Sequence, residues 1–233
     1  MLVCIILISL GALALVFYLL EKCKNYSLKG VLLKTVVSLL FIATAIAAAY
    51  QNLGHPLHYF VIAGLILGLL GDIWLDLKYV YPKDDKLYTY AGFTVFAIGH
   101  ILYIIGMMIE FFDQGNWVYF LIPVAVAIVF SVANLLLSKP MKLDFKDMKW
   151  IVFAYAFLLA LNPATSLILC INTGWSHNTL IMLFVGGVLF AISDLVLSNT
   201  YFGENHEKPI DFILNYITYY GAQFIIAFSL MFL

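Results

Sequence analysis

Two aspartates lie inside apolar stretches of the sequence, at matching places in its two halves. Asp72 occurs in GLILGLLGDIWL and Asp194 in GGVLFAISDLVL. A carboxylate inside membrane hydrocarbon costs about 2.5 to 3.5 kcal/mol on insertion scales, so such residues usually mark a functional site. Two carboxylates in one poorly solvated pocket repel each other, which favours one keeping a proton while the other stays ionised. Such a pair is suited to general acid and base catalysis.

Further polar residues fall within or close to the apolar stretches. A helical rise of about 1.5 Å per residue places them in one half or at the centre of the membrane. We expect Asp72, Asp194 and His100 to be catalytic, and the others to line a polar cavity that binds the substrate. The substrate-binding candidates are Lys34, Tyr103, Asn215, Tyr219, Tyr220 and Gln223.

Several of these polar residues also have a purely structural interpretation. Asp72 or Asp194 could simply pair with Lys34 or with a free helix-end amide, and Lys34 could extend its ammonium to the lipid headgroups. His100 could hydrogen-bond a neighbouring helix. Asp76, one helical turn beyond Asp72, is interpreted as solvated or as a structural ion pair. No metal site is assigned: zinc is disfavoured, because hydrolytic zinc sites generally use three protein ligands and only one histidine lies within an apolar stretch. Metal binding by Asp72, Asp194 and His100 stays open as an alternative.

The composition is that of an integral membrane protein. Hydrophobic residues make up 64% of the 233 residues and charged residues 11%, which is more apolar surface than a soluble globule of this size can bury. The formal net charge is −1 and there is no arginine, so a basic surface for nucleic acid is absent from the sequence. Lysine without arginine favours a bacterial cell membrane over the endoplasmic reticulum.

Eight stretches are long and apolar enough to cross a membrane as helices, for which about 20 residues are needed. The chain is therefore predicted to be all-α, a polytopic bundle of eight transmembrane helices in a single domain over residues 1–233. The predicted spans are residues 2–20, 31–50, 59–77, 90–109, 117–137, 150–170, 180–198 and 212–232.

The lysines predict an orientation for this bundle. All 12 of them follow odd-numbered spans or, for Lys34, lie one turn into the span that comes next. By the positive-inside rule, that side is cytoplasmic, and both chain termini lie on the non-cytoplasmic side.

The second half of the chain resembles the first at an offset of 122 residues. Gly64 then corresponds to Gly186, and Asp72 to Asp194. This suggests two parallel four-helix repeats related by an axis along the membrane normal, with the two aspartates approaching each other near that axis. The repeats would be residues 1–116 and 117–233.

The polar residues occur in short motifs in a fixed order along the chain: Lys34, Gly71-Asp72, F-x-x-G-H-x-x-Y from Phe96 to Tyr103, Ser193-Asp194, and Y-Y-x-x-Q from Tyr219 to Gln223. Their order and spacing resemble the YhhN family of membrane proteins, which includes the lysoplasmalogenases. The resemblance covers nearly the whole chain. It implies hydrolysis of the vinyl-ether bond of lysoplasmalogens to a fatty aldehyde and glycerophosphoethanolamine or glycerophosphocholine, with no cofactor.

The implied reaction assigns roles to these residues. A vinyl ether is hydrolysed by protonation of its β-carbon, after which water captures the oxocarbenium-like cation. One of Asp72 and Asp194 would supply the proton, and the other would stabilise the cation and activate water. His100 would orient an aspartate or relay a proton, and Lys34 would hold the lipid phosphate.

The expected partners are a lysophospholipid substrate and the surrounding membrane lipids; the sequence leaves the oligomeric state open. Two other classes of protein fit the same polar residues. One is a proton-coupled transporter of small molecules or lipids, and the other is a lipid-binding membrane protein without catalytic activity.

Overall fold

The computed structural model of the chain describes residues 1–24, 26–112, 118–203 and 209–233. Within these ranges all the long elements are α-helices, and there is no β-strand. Short 3₁₀ turns precede α4 and α6 and follow α8. The helices are α1 (Leu2–Lys22), α2 (Leu28–Ala49), α3 (Pro56–Val80), α4 (Asp85–Phe111), α5 (Val118–Leu137), α6 (Lys149–Asn172), α7 (Asn178–Phe202) and α8 (Pro209–Ser229).

These eight helices are each long and apolar enough to cross a membrane, which confirms the predicted all-α bundle of eight spans. Most helices extend beyond the predicted spans; α3, for example, has 25 residues. The difference arises because the prediction counted the residues needed to cross the hydrocarbon, whereas polar residues continue the helices towards the headgroups. The predicted start of the fifth span at residue 117, and Lys208, lie outside the described residues. The side of the membrane on which the termini lie stays a prediction.

Local sequence signals determine where two of the helices begin. The hydroxyl of Ser27 accepts a hydrogen bond from the backbone N–H of Gly30 at 3.2 Å, which caps the start of α2. Pro56 occupies the first turn of α3, where its missing N–H costs no helical hydrogen bond. Gly54, just before it, has a φ of 107°, a conformation that side chains other than glycine rarely adopt.

The chain forms two compact units. The first consists of Met1–Gly106 together with Ala227–Leu233, and the second of Met107–Ile226. In the first unit, α1 and α3 both pack against α2. In the second unit, α5 and α7 both pack against α6. Each unit therefore places its aspartate, Asp72 or Asp194, on a helix that packs against the preceding one.

In the first unit, α3 and α4 approach each other closely through glycines spaced by seven residues. A methyl group added at Gly64 would lie 2.3 Å from a ring carbon of Tyr103. One added at Gly71 would lie 2.4 Å from a ring carbon of Phe96. A spacing of seven keeps both glycines on one helix face, and small residues there let two membrane helices pack tightly. The same contact fixes the backbone of Asp72, which follows Gly71 directly.

In the second unit, glycines of α7 likewise allow neighbouring helices to approach closely. A methyl group added at Gly186 would lie 2.6 Å from the Ile226 side chain on α8, and one at Gly187 would lie 3.1 Å from Pro163 on α6. Gly64 and Gly186 thus each mark a close approach to the helix that follows in the chain. The correspondence between the two halves extends to packing at this position, while the repeat relation itself stays a prediction.

Candidate functional site

Asp72 is held by two side chains of the neighbouring helix α2. It is 2% exposed. Its Oδ1 atom lies 3.3 Å from the Nζ atom of Lys34, and its Oδ2 atom accepts a 2.6 Å hydrogen bond from the hydroxyl of Ser38. Lys34 and Ser38 are four residues apart on one face of α2, so both reach the same carboxylate. Lys34 is buried rather than extended to the headgroups, and the structural pairing of Asp72 with Lys34 is present.

Asp76 lies one turn further along α3 and is also buried, so its interpretation as a solvated residue is wrong. Its Oδ1 atom lies 2.9 Å from the Nζ atom of Lys22 and 3.4 Å from that of Lys34. Its Oδ2 atom accepts a 2.9 Å hydrogen bond from the hydroxyl of Tyr18 on α1. The alternative interpretation, a structural ion pair, describes it correctly.

Together these residues form what we call the ion network: Lys22, Lys34, Asp72 and Asp76. It joins α1, α2 and α3 and contains two ammonium groups and two carboxylates, so its formal charges cancel. Buried charges inside a membrane protein are tolerated when they are paired in this way. Lys34 contacts both carboxylates, which makes it the link between Asp72 and the rest of the network.

His100 and Tyr103 lie one turn apart on α4, and both side chains are buried. Their rings meet edge to face, with centroids 6.1 Å apart. The ring of Tyr103 fills the space above Gly64, which orients it towards α3. The roles of His100 in catalysis and of Tyr103 in substrate binding stay predictions.

Asp194 in the second unit is half-buried and is held by hydroxyl groups. The phenol of Tyr155 on α6 donates a short hydrogen bond to its Oδ2 atom. The hydroxyl of Ser193 lies 3.3 Å from its Oδ1 atom and also donates to the carbonyl of Phe190 at 2.9 Å. The sequence did not reveal Tyr155, because it lies 39 positions before Asp194 and is one of 15 tyrosines.

Asn215 ties α8 to the segment of α7 that carries Asp194. Its side-chain Nδ2 donates a 2.7 Å hydrogen bond to the backbone carbonyl of Ser193. Because this bond ends on the residue just before Asp194, Asn215 fixes the position of the aspartate backbone. Its predicted contact with substrate would come in addition to this structural bond.

The other three candidates on α8 form a buried cluster one and two turns beyond Asn215. The amide Nε2 of Gln223 donates a 2.9 Å hydrogen bond to the hydroxyl of Tyr219. The ring of Tyr219 meets the ring of Phe190 at 5.3 Å and that of Tyr220 at 4.9 Å between centroids. Phe190 is one helical turn before Asp194 on α7, so this cluster belongs to the surroundings of that aspartate.

The candidate residues therefore form groups within each unit. The first unit brings Lys34 and Asp72 together, and the second groups the α8 candidates around the segment that carries Asp194. Convergence of the two aspartates stays a prediction. Among the described residues, no cluster of three or more His, Cys, Asp and Glu side chains could hold a metal ion.

The eight apolar helices in the described part of the chain, with charged groups buried between α1, α2 and α3, define a polytopic α-helical membrane protein. The model of the YhhN family matches residues 30–230, and the chain belongs to that family. The matched region contains all the candidate residues, from Lys34 to Gln223. No curated protein and no solved structure matches the chain.

Proposed function

We propose that the protein hydrolyses the vinyl-ether bond of lysoplasmalogens, releasing a fatty aldehyde and glycerophosphoethanolamine or glycerophosphocholine. Membership of the YhhN family over residues 30–230 carries this proposal, because the motifs that resemble the lysoplasmalogenases all lie within the matched region. Support comes also from the surroundings of the two aspartates, each of which is held by hydrogen-bond donors from a neighbouring helix.

The reaction needs one acid, one anion and one water. An acid donates a proton to the β-carbon of the vinyl ether, so that a C–H bond forms and positive charge develops on the α-carbon and the ether oxygen. Water adds to the α-carbon and gives a proton to a carboxylate. The hemiacetal hydroxyl then gives its proton to the carboxylate that the acid has become, while the ether oxygen takes up the proton that the second carboxyl group gained from water. The bond between the ether oxygen and the α-carbon breaks, which leaves an aldehyde and an alcohol. One water is consumed, and the protons balance.

The contacts of the two aspartates favour different roles for them. Lys34 stabilises negative charge on Asp72, so Asp72 is suited to remain ionised and to stabilise the cation. Asp194 is then the residue that donates the proton, with Tyr155 as a positioning residue that holds its carboxyl group. The scheme requires both carboxylates to act on one substrate, which is the arrangement that the sequence predicts.

The test of this function uses the purified protein in detergent with a panel of lysolipids carrying a vinyl-ether, an alkyl-ether or an acyl chain. Mass spectrometry should find aldehyde from the vinyl-ether lipid and no cleavage of the alkyl-ether lipid. A transporter would instead accumulate an unchanged lipid or small molecule in sealed vesicles with a proton gradient. Thermal stabilisation by lysolipid without any product would indicate a binding protein. Either of these results, with no aldehyde, would contradict the proposal.

Replacing Tyr155 with phenylalanine tests the acid's positioning. Tyr155→Phe removes the hydroxyl group that donates a hydrogen bond to Asp194 and leaves the aromatic ring in place. Asp194 becomes negatively charged as it gives up its proton, and a hydrogen bond to a charged group contributes about 1.5 to 3 kcal/mol, so kcat for aldehyde release should fall about 10- to 100-fold. KM should stay within about 3-fold of the wild type, because Tyr155 contacts the aspartate and not the substrate in this scheme.

Tyr59→Phe is the control for this variant, since it makes the same chemical change at an exposed tyrosine of α3. It should leave both kinetic constants unchanged. If folded Tyr155→Phe matched the control, Tyr155 would have no part in positioning the acid.

A further inference from the structure

One polar atom of the Gln223 side-chain amide has no hydrogen-bond partner among the described residues. Gln223 is 1% exposed. Its Nε2 atom donates to the hydroxyl of Tyr219, whereas its Oε1 atom is buried and accepts no hydrogen bond from the described residues. A buried acceptor left without a donor costs about 1 to 3 kcal/mol, so such an atom in a native protein calls for an explanation.

The position of Gln223 indicates a ligand as that explanation. Its amide is bonded to Tyr219, whose ring packs on Phe190 of α7. Phe190 and Asp194 are four residues apart, which corresponds to about 6 Å along the helix and to the same helix face. The unsatisfied oxygen is therefore part of the α7 and α8 contact that surrounds the proposed proton donor.

A hydrogen-bond donor of the substrate would satisfy this oxygen. A lysoplasmalogen has a free hydroxyl at the sn-2 carbon of glycerol, next to the carbon that bears the vinyl ether. The phosphate oxygens are acceptors and cannot donate to another acceptor. The ammonium of an ethanolamine headgroup can donate, but it lies beyond the phosphate, far from the reacting bond. The sn-2 hydroxyl is thus the substrate donor closest to the chemistry.

We propose that Oε1 of Gln223 accepts a hydrogen bond from the free sn-2 hydroxyl of the substrate, and so selects lysolipids over lipids that carry an acyl chain there. The inference rests on the proposed function and deepens it by naming the group that distinguishes the substrate class. A site with a buried acceptor rejects an analogue that lacks the matching hydroxyl, because the acceptor is then left unpaired.

The experiment compares 1-alkenyl-glycerophosphoethanolamine with its 2-deoxy analogue, which keeps the vinyl ether and lacks the hydroxyl. The wild type should have a kcat/KM that is about 10- to 100-fold higher for the hydroxylated lipid, as expected for one buried hydrogen bond. Gln223→Leu should lower the value for the hydroxylated lipid to that of the analogue and leave the analogue's own value within about 3-fold.

Tyr219→Phe is the matched variant on the same helix. This variant lacks the hydroxyl group that accepts the hydrogen bond from Nε2, but it keeps the Gln223 oxygen. It should therefore retain the preference for the hydroxylated lipid. Equal rates for the two lipids in the wild type would overturn the inference while leaving the hydrolase function intact. An equal loss on both lipids in folded Gln223→Leu would also overturn it, since that is the effect of a purely structural glutamine.

A binding measurement separates this inference from the proposed function. The 1-alkyl counterparts of the two lipids cannot be cleaved, and their thermal stabilisation of the protein reports binding alone. Stronger stabilisation by the hydroxylated alkyl lipid, lost in Gln223→Leu, would support hydroxyl recognition even if no aldehyde were released from any vinyl ether. Equal stabilisation by both alkyl lipids would contradict it.

Discussion

Asparagine in place of Asp194 or Asp72 is expected to lower aldehyde release from lysoplasmalogen by about 10²- to 10⁴-fold, the usual contribution of a positioned general acid or base. Asparagine keeps the size of the side chain and most of its hydrogen-bonding capacity, but it cannot transfer a proton or carry a negative charge. Initial rates measured by mass spectrometry, normalised to the amount of folded protein, would show the loss directly.

The same variants separate catalysis from structure at Asp72. Its pairing with Lys34 means that Asp72→Asn also removes a buried ion-pair contact. A purely structural Asp72 predicts that activity falls only as far as the folded fraction falls. A catalytic Asp72 predicts that the folded fraction is itself inactive. Gel filtration and thermal denaturation of each sample provide the folded fraction.

Asp85→Asn is the control for both variants. Asp85 begins α4, its side chain is 59% exposed, and it pairs with Lys78 at 3.5 Å. Activity should be unchanged in this variant. Near-normal aldehyde release by folded Asp72→Asn and Asp194→Asn would show that the acid and base scheme is wrong.

The sequence was sufficient to predict the helices because their main cause is local. About 20 apolar residues must be helical to satisfy their backbone inside hydrocarbon, so uninterrupted apolar runs such as the one within α1 identify a span directly. Boundaries were predicted less well. Lys22 continues α1 beyond the predicted end at residue 20, because a partner on another helix stabilises its charge there.

The partners of the candidate residues could not be predicted, because they depend on which helix faces lie together. Ser38 and Tyr155 are of types that occur often in membrane helices, and nothing in the local sequence distinguishes them from residues that face lipid. Asp72 and Asp194 were recognisable because an acidic residue in an apolar run is costly wherever the helix faces. The charged candidates can therefore be recognised from the sequence, whereas the neutral side chains that donate hydrogen bonds to them cannot.

Asp76 shows how this limit affects a functional interpretation. Its position near the predicted end of the third span suggested contact with solvent, yet Lys22 and Tyr18 of α1 cover it. The charge of Lys34 is consequently shared between Asp76 and Asp72. Any change to the ion network alters the electrostatic surroundings of Asp72, so stability and activity should be coupled at this point.

Removing a single charge from the ion network should destabilise the protein strongly. Asp76→Asn removes the carboxylate that contacts both Lys22 and Lys34, and Lys22→Met removes one of the two ammonium groups of the network. Breaking a buried ion pair by removing one partner costs about 3 to 5 kcal/mol, because the remaining charge is buried without compensation. The free energy of unfolding in mixed micelles, from titration with a denaturing detergent, would measure this loss.

The double variant Lys22→Met with Asp76→Asn provides the decisive comparison. It leaves Lys34 with Asp72, so the formal charge of the network is again balanced, and the loss should be smaller than the sum of the two single losses by about 0.5 to 3 kcal/mol. Lys29→Ala is the matched control, because Lys29 is 71% exposed and pairs with Glu21 at 3.0 Å near the end of α1. Exposed pairs contribute little, so this variant should stay close to the wild type. If both single variants in the network were as stable as Lys29→Ala, the buried charges would contribute little to the packing of α1 and α2 on α3. The electrostatic argument for an ionised Asp72 would then have no support.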